Sequence, residues 1–334
     1  MTNIFDKRNR PLRDLRISVT DRCNYRCLYC MPQEKYKDYV YLQRKDLLTF
    51  EEISRVVRIF HELGLKKVRL TGGEPLIRKD IEKLIRLLAA IPDLDISMTT
   101  NGSFPLDRAR SLRDAGLDRI TLSLDSLDDA IYKKMNDVNR SVDNVLRWID
   151  ASEKAGFEHI KINMVVQRDL NMQSILPMAE HFRCTPYILR FIEYMDVGTT
   201  NDWHMKQVVP ADEILKIIDA KYPLEPFKPN YPGEVARRYH YKDGGGEIGI
   251  IASVSNAFCG DCTRMRLSAH GSLYTCLFAA LGTDIRAFLR GGASDEQLKN
   301  FIMNIWQKRR DRYSEVRSEQ ARQQKKVEMS FIGG

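Results

Sequence analysis

No run of about eighteen apolar residues occurs anywhere in this chain, which excludes a membrane-spanning helix. The N-terminal stretch MTNIFDKRNRPLRD is charged and lacks the apolar segment of a secretory signal, so a soluble, intracellular, cytoplasmic protein is expected. Cysteine is sparse, seven in 334 residues, and an odd total fits a disulfide framework poorly. Neither a low-complexity tract nor an internal repeat beyond a βα unit is visible. The net charge of +8 suggests a nucleic-acid partner only until its distribution is read: Lys308 to Lys326 holds eight basic and three acidic residues, a local +5. Read as a solvated, salt-bridge-laced helix face, this stretch leaves little excess charge elsewhere, and neither a nucleic acid nor a membrane is expected as partner.

What is present is an alternation of periods. Short β-branched runs at 16–20, 67–73, 95–102, 119–125, 160–166 and 187–195 alternate with helical patterns. One helix is legible in detail: Thr49 with Glu52 reads as a capping box, Ile53, Val56, Val57 and Phe60 form its apolar stripe, and Gly64 ends it. Six such units predict a parallel α/β sheet. Strand parity refines this. Arg16 and Ser18 oppose Ile17 and Val19, Lys67 and Arg69 oppose Val68 and Leu70, Ser97 and Thr99 oppose Ile96 and Met98, and Lys161 and Asn163 oppose Ile160 and Ile162. Strands covered by helices on both faces read as continuous apolar runs, so one face here meets something wet. A closed eight-stranded barrel has an apolar interior, and the expected fold is therefore an open, partial (β/α)6 TIM-type barrel. Its lumen carries Arg16, Lys67, Arg69, Lys161 and Arg190 against Asp125, a set of cations that calls for an anion and predicts a phosphorylated substrate. Residues 1–200 read as this core. Residues 201–334 read as an α+β extension, with a hairpin around DGGG, placed to close the barrel's open side.

Two cysteine constellations carry the chemistry. Cys23, Cys27 and Cys30, spaced C-x3-C-x2-C, follow the first strand at the carboxyl end of the sheet, where βα proteins place their sites. Four thiolates suffice for an electron-transfer cluster; three leave one iron open to a small molecule. The alternative is a zinc site completed by Cys184 or a histidine. The second set, Cys259, Cys262 and Cys276, is spaced C-x2-C-x13-C, with a zinc knuckle using His270 as its alternative and Arg264 and Arg266 close by. Cys184, in HFRCTP, reads as a small core residue.

The first spacing, with Tyr29 before its last cysteine, TGGEP at 71–75 and SLD at 123–125, resembles the radical S-adenosylmethionine superfamily. Together with RFIEYMDVG, FCGDCTRMRLS and the final Gly-Gly, nearly the whole chain resembles one family in it, the GTP 3′,8-cyclases of molybdenum cofactor biosynthesis. The resemblance implies two 4Fe-4S clusters, one on each cysteine set. The first binds S-adenosylmethionine, contacted by Tyr29, Gly73, Ser123 and Met195. The second binds the guanine of GTP, which Arg16, Arg69, Thr99, Lys161, Arg264 and Arg266 contact. Arg190 reads as a further phosphate ligand or as a salt-bridge partner of Glu193 or Asp196. A catalytic set of Cys23, Cys27, Cys30, Arg264 and Arg266 follows, with a one-electron reductant as partner, the product passing to cyclic pyranopterin monophosphate synthase and the Gly333-Gly334 tail reaching the active site. A homodimer is one option for an oligomeric state the sequence leaves open. The rival readings are a radical enzyme acting on a peptide or tRNA, and a zinc-stabilised nucleic-acid binder.

Overall fold

The computed structural model describes residues 3–317 and 326–334. The six β-branched runs form strands β1 (Asp14–Ser18), β2 (Lys67–Thr71), β3 (Asp95–Thr100), β4 (Arg119–Ser123), β5 (Lys161–Val166) and β6 (Ile188–Glu193). They lie in sequence order, each parallel to the next. Helices between them cover the outer face. The helix Phe50–Glu62 starts on the expected capping box of Thr49 and Glu52, buries Ile53, Val56, Val57 and Phe60, and is followed by Gly64 at φ +102°. The apolar parity points outward into this helical layer: Leu15, Ile17, Val68, Leu70, Ile96, Met98, Ile160 and Ile162 are fully buried.

The C-terminal part adds strands to both edges of the arc. A hairpin of β8 (Arg237–Tyr241) and β9 (Glu247–Ile251), with β7 (Leu224–Phe227) outside it, lays β9 parallel to β6. At the other edge β10 (Arg264–Leu267) runs parallel to β1, followed by β11 (Ser272–Tyr274) and β12 (Thr283–Asp284), both antiparallel. The result is one twelve-stranded sheet ending at β12 and β7. A buried carboxylate ties the two parts together: Glu193, at the end of β6, accepts hydrogen bonds from the backbone of Ala211 at 2.7 Å, Val254 at 2.7 Å and Ser255 at 2.9 Å, and from the Ser255 hydroxyl. The Ala211 N–H would be an orphaned buried donor without it.

Two expectations are corrected. Cys184 is exposed, because it sits at φ +63° in the turn after helix Ile175–Phe182, with its N–H on the carbonyl of Gly245. The described part of the basic run, Lys308 to Arg317, is not a helix face. Helix Asp295–Gln307 stops before it, and Arg309 and Lys326 are buried, each 4% exposed. Lys326, Arg317 and the Tyr313 hydroxyl converge on Asp196 at 2.9, 3.0 and 2.6 Å. Part of that run, 318–325, lies outside the described residues. Among the described residues no helix is long and apolar enough to cross a membrane.

Candidate active site

One cavity fills the concave side of the sheet. Cys23, Cys27, Cys30, Tyr29, Gly73, Ser123, Asp125 and Met195 line it toward one end; Cys259, Cys262 and Cys276 line it toward the other. Arg16, Arg69, Thr99, Lys161, Arg190, Arg264 and Arg266 stand between. Every sequence-predicted site residue thus faces one space. Lys67 is the exception among the expected lumen cations: its ammonium lies over the Tyr231 ring, 3.3 Å from the centroid, rather than against the cavity.

Register explains the cations. Arg266 on β10, Arg16 on β1 and Arg69 on β2 are direct cross-strand partners, so three guanidinium side chains leave the same face of neighbouring strands. The next row places Thr99 beside Thr121 and Thr121 beside Lys161. Arg69 donates to Thr99 at 3.1 Å and Thr121 at 3.2 Å. Arg190 donates to Asn163 at 2.9 Å, and neither Glu193 nor Asp196 pairs with it, so the salt-bridge alternative for Arg190 is set aside. Gly249 opposite Arg190 leaves room for that side chain: a Cβ there would stand 3.0 Å from Arg190 Cγ.

The electrostatics are those of a site awaiting an anion. Burial, then Arg266, Arg264 and Arg69, hold Arg16 well below its ordinary range; burial, then Arg190, brings Lys161 down to about 7. Burial and Arg69 likewise depress Arg190, and burial and Arg264 depress Arg266. The buried Nε of Arg16 has no hydrogen-bond partner among the described residues. A polyphosphate would supply the missing acceptors and charge. Two acidic groups the sequence reading missed, Asp14 and Glu234, raise several of these cations, and Tyr231 and Glu234 line the cavity from the proline-rich connection. Nothing in that segment's composition marked it as site-forming.

All six cluster-spaced cysteines are free thiols. In the first loop, burial above all and then neighbouring carboxylates and thiols push Cys23 up to about 12 and Cys27 and Cys30 upward too. Three soft donors in one short loop fit an iron–sulfur cluster, whose positive charge would displace the protons that burial holds on them. The loop is shaped by Gly72 and Gly73: the Gly73 N–H donates to Thr20 O and the Glu74 N–H to Arg22 O, both at 2.8 Å. A Cβ on Gly73 would collide with Arg22 O and stand 2.5 Å from Arg22 C and 2.9 Å from Cys23 N. The glycine pair thus serves close approach of the chain to its own cysteine loop, a reason the sequence reading did not give. Tyr29 is oriented by its hydroxyl, which donates to Asp125 Oδ2 at 2.9 Å, while Asp125 Oδ1 accepts from Val165 N at 2.9 Å.

The second set is wrapped in arginine. Burial raises a thiol, but at Cys262 Arg264 and Arg309 outweigh it and bring the group down to about 6. Arg264 Nη2 approaches Cys262 Sγ at 3.5 Å and Arg309 Nη2 at 3.1 Å. A thiol already poised as thiolate, with two more free thiols lining the same end, also fits a cluster. His270 does not join them: Ser268 and Ser272 hold its ring nitrogens at 3.0 and 3.2 Å. Among the described residues no three Cys, His, Asp or Glu side chains converge as a single ion requires, so neither zinc alternative gains a ligand set.

The chain's end enters the same space. Glu328 accepts from Thr199 and Thr200, Ser330 meets Tyr36 at 3.3 Å, and helix Met329–Ile332 delivers Gly333, whose carbonyl accepts from Arg266; Gly334 lines the cavity.

Residues 17–182 match the Radical SAM superfamily and residues 187–315 match Molybdenum Cofactor Synthesis C. A protein of Acidothermus cellulolyticus named GTP 3′,8-cyclase is 48% identical over 358 residues, covering 99% of both chains. Its namesake in Staphylococcus aureus (strain JH9) is 46% identical over 337 residues, again 99% of both. Among solved structures, Streptococcus suis SuiB bound to S-adenosylmethionine superposes with a TM-score of 0.63 at 14% identity, over 93% of this chain and 69% of that one, a likeness of fold.

Proposed function

The chain belongs to the GTP 3′,8-cyclase family, and from that premise we propose which of its residues carry the reaction. It is a radical S-adenosylmethionine enzyme that converts GTP to (8S)-3′,8-cyclo-7,8-dihydroguanosine 5′-triphosphate, the first step of molybdenum cofactor biosynthesis. In our reading Cys23, Cys27 and Cys30 hold a 4Fe-4S cluster, and Cys259, Cys262 and Cys276 hold a second. Bound at the first set, the cluster and S-adenosylmethionine would supply the electron and the radical chemistry for taking hydrogen from C3′ of GTP.

The chain's own part is placement and exclusion. Tyr29, fixed by Asp125, and Gly73, Ser123 and Met195 bind S-adenosylmethionine. Arg69, Thr99, Lys161 and Arg190 clamp the triphosphate, and Arg16, Arg264 and Arg266 hold the nucleotide toward the second set. The tail through Gly334 keeps water from the space between. The observation that carries this reading is the Arg266–Arg16–Arg69 row, with an unpartnered buried Arg16 Nε, standing between two thiol triads. A cytoplasmic setting keeps the free thiols reduced. A one-electron donor and a downstream cyclic pyranopterin monophosphate synthase complete the scheme.

The test incubates reduced, reconstituted protein with S-adenosylmethionine and GTP deuterated at C3′. Deuterium should appear in 5′-deoxyadenosine. Equal turnover of ATP would overturn guanine recognition at the second set.

A further inference from the structure

Arg309 makes a two-point contact with one cysteine of the second set. Its Nη1 donates to Cys262 O at 2.7 Å and its Nη2 to Cys262 Sγ at 3.1 Å. The guanidinium cannot swing away: Asp6 lies 3.6 Å and Asp311 3.3 Å from it, and it stacks 4.5 Å from the Trp306 ring centroid. A second buried arginine braces the same loop. Arg10 Nε pairs with Asp6 at 2.6 Å, while its Nη1 donates to Cys259 O at 2.7 Å and Asp311 O at 2.8 Å. Among the described residues no arginine fork donates to a sulfur of the first cysteine set: Cys23 Sγ accepts from the neutral Tyr25 N–H at 3.4 Å and the Asn101 amide at 3.9 Å.

A planar fork held on both sides keeps its N–H aimed at sulfur with little entropy left to lose. Hydrogen bonds to ligating sulfurs and fixed positive charge favour the more negative, reduced state of an iron–sulfur centre. Resting on the reading that Cys259, Cys262 and Cys276 hold a cluster, we infer that Arg309 is a positioning residue that raises that centre's reduction potential through Cys262 Sγ. Arg309 borders the cavity, but both arms of its fork are committed to the cysteine, so it acts through Cys262.

The experiment is an EPR-monitored redox titration of reconstituted full-length protein, wild type and Arg309→Gln, with iron and sulfide measured per chain. The signal that responds to S-adenosylmethionine identifies the first centre. In Arg309→Gln the other midpoint should fall by about 59 mV, a tenfold loss in the one-electron reduction equilibrium, with the first unmoved. Arg309→Lys, which keeps the charge but loses the two-point fork, serves if the glutamine variant does not retain iron, and its midpoint should fall by a smaller step. Wild-type protein with iron for one cluster only would overturn the second-cluster reading and this inference with it. Iron for two clusters and an unmoved second midpoint would overturn this inference alone.

Discussion

Replacing Gly73 by alanine adds one methyl group, and the structure says where it goes. The residue's φ lies outside the left-handed region, so no backbone penalty confuses the result. The new Cβ would stand 2.5 Å from Arg22 C and 2.9 Å from Cys23 N, against an ordinary contact of about 3.5 Å. The cysteine loop must retreat by about 1 Å. Two hydrogen bonds cross this contact, Gly73 N–H to Thr20 O and Glu74 N–H to Arg22 O; weakening both costs about 2 kcal/mol at about 1 kcal/mol each. Misplacement of a reacting group by about 1 Å costs about a hundredfold in rate. Gly260→Ala is the matched control, a glycine in the other cysteine loop whose added Cβ would find only Glu315, at 3.9 Å. Urea unfolding of the metal-free protein should show Gly73→Ala less stable by about 2 kcal/mol and Gly260→Ala unchanged. Production of 5′-deoxyadenosine by loaded protein should fall about a hundredfold in the first alone. Equal stability and equal rates in the two variants would refute the steric argument.

Lys161 sits at about 7 in the free protein because burial and Arg190 disfavour its charge; a bound triphosphate favours the charge and raises it. Affinity for GTP should therefore be flat below pH 7 and fall above it, with uptake of about one proton at pH 8 seen by calorimetry in buffers of different ionisation enthalpy. Proton release, or no pH dependence, would contradict the assignment. Arg190→Ala should weaken GTP by about 1.5–3 kcal/mol in equilibrium binding while leaving guanosine unaffected; equal losses for both would remove Arg190 from the triphosphate. Glu193→Ala orphans the buried Ala211 N–H and removes the acceptor of two partly buried ones, and should lower stability by about 1–3 kcal/mol in urea, whereas an unchanged stability would mean those groups find other partners.

The lumen was legible in the sequence because a wet barrel interior forces polar residues onto every second strand position, and register then brings Arg16, Arg69 and Arg266 side by side. Cysteine spacing was legible because loop chelation is local. What escaped was set by long-range packing. Glu193 reads as one acid among many until three distant N–H groups are found on it. Arg10 and Arg309 lie 299 positions apart and share Asp6, a relation no periodicity records. Charge counting even misled at Arg309 and Lys326, since a run of basic residues gives no sign of which members are buried against carboxylates. Cys184 failed for a local reason: its left-handed turn after a helix overrode its usual preference for the interior.

Strands β1 and β10 run side by side in the same direction, yet the first thiols follow the finish of β1, whereas Cys259 and Cys262 precede the start of β10 and Cys276 returns toward that end after the antiparallel β11. Five residues of β1 at about 3.3 Å apiece make a ruler of roughly 16 Å between the two sulfur-bearing loops. That length, fixed by backbone hydrogen bonds and not by any side chain, dictates the size of molecule able to reach both. Lengthening β1 and β10 together by two residues would keep every inward side chain on its face while opening the gauge by about 7 Å, enough to strand a nucleotide at one end.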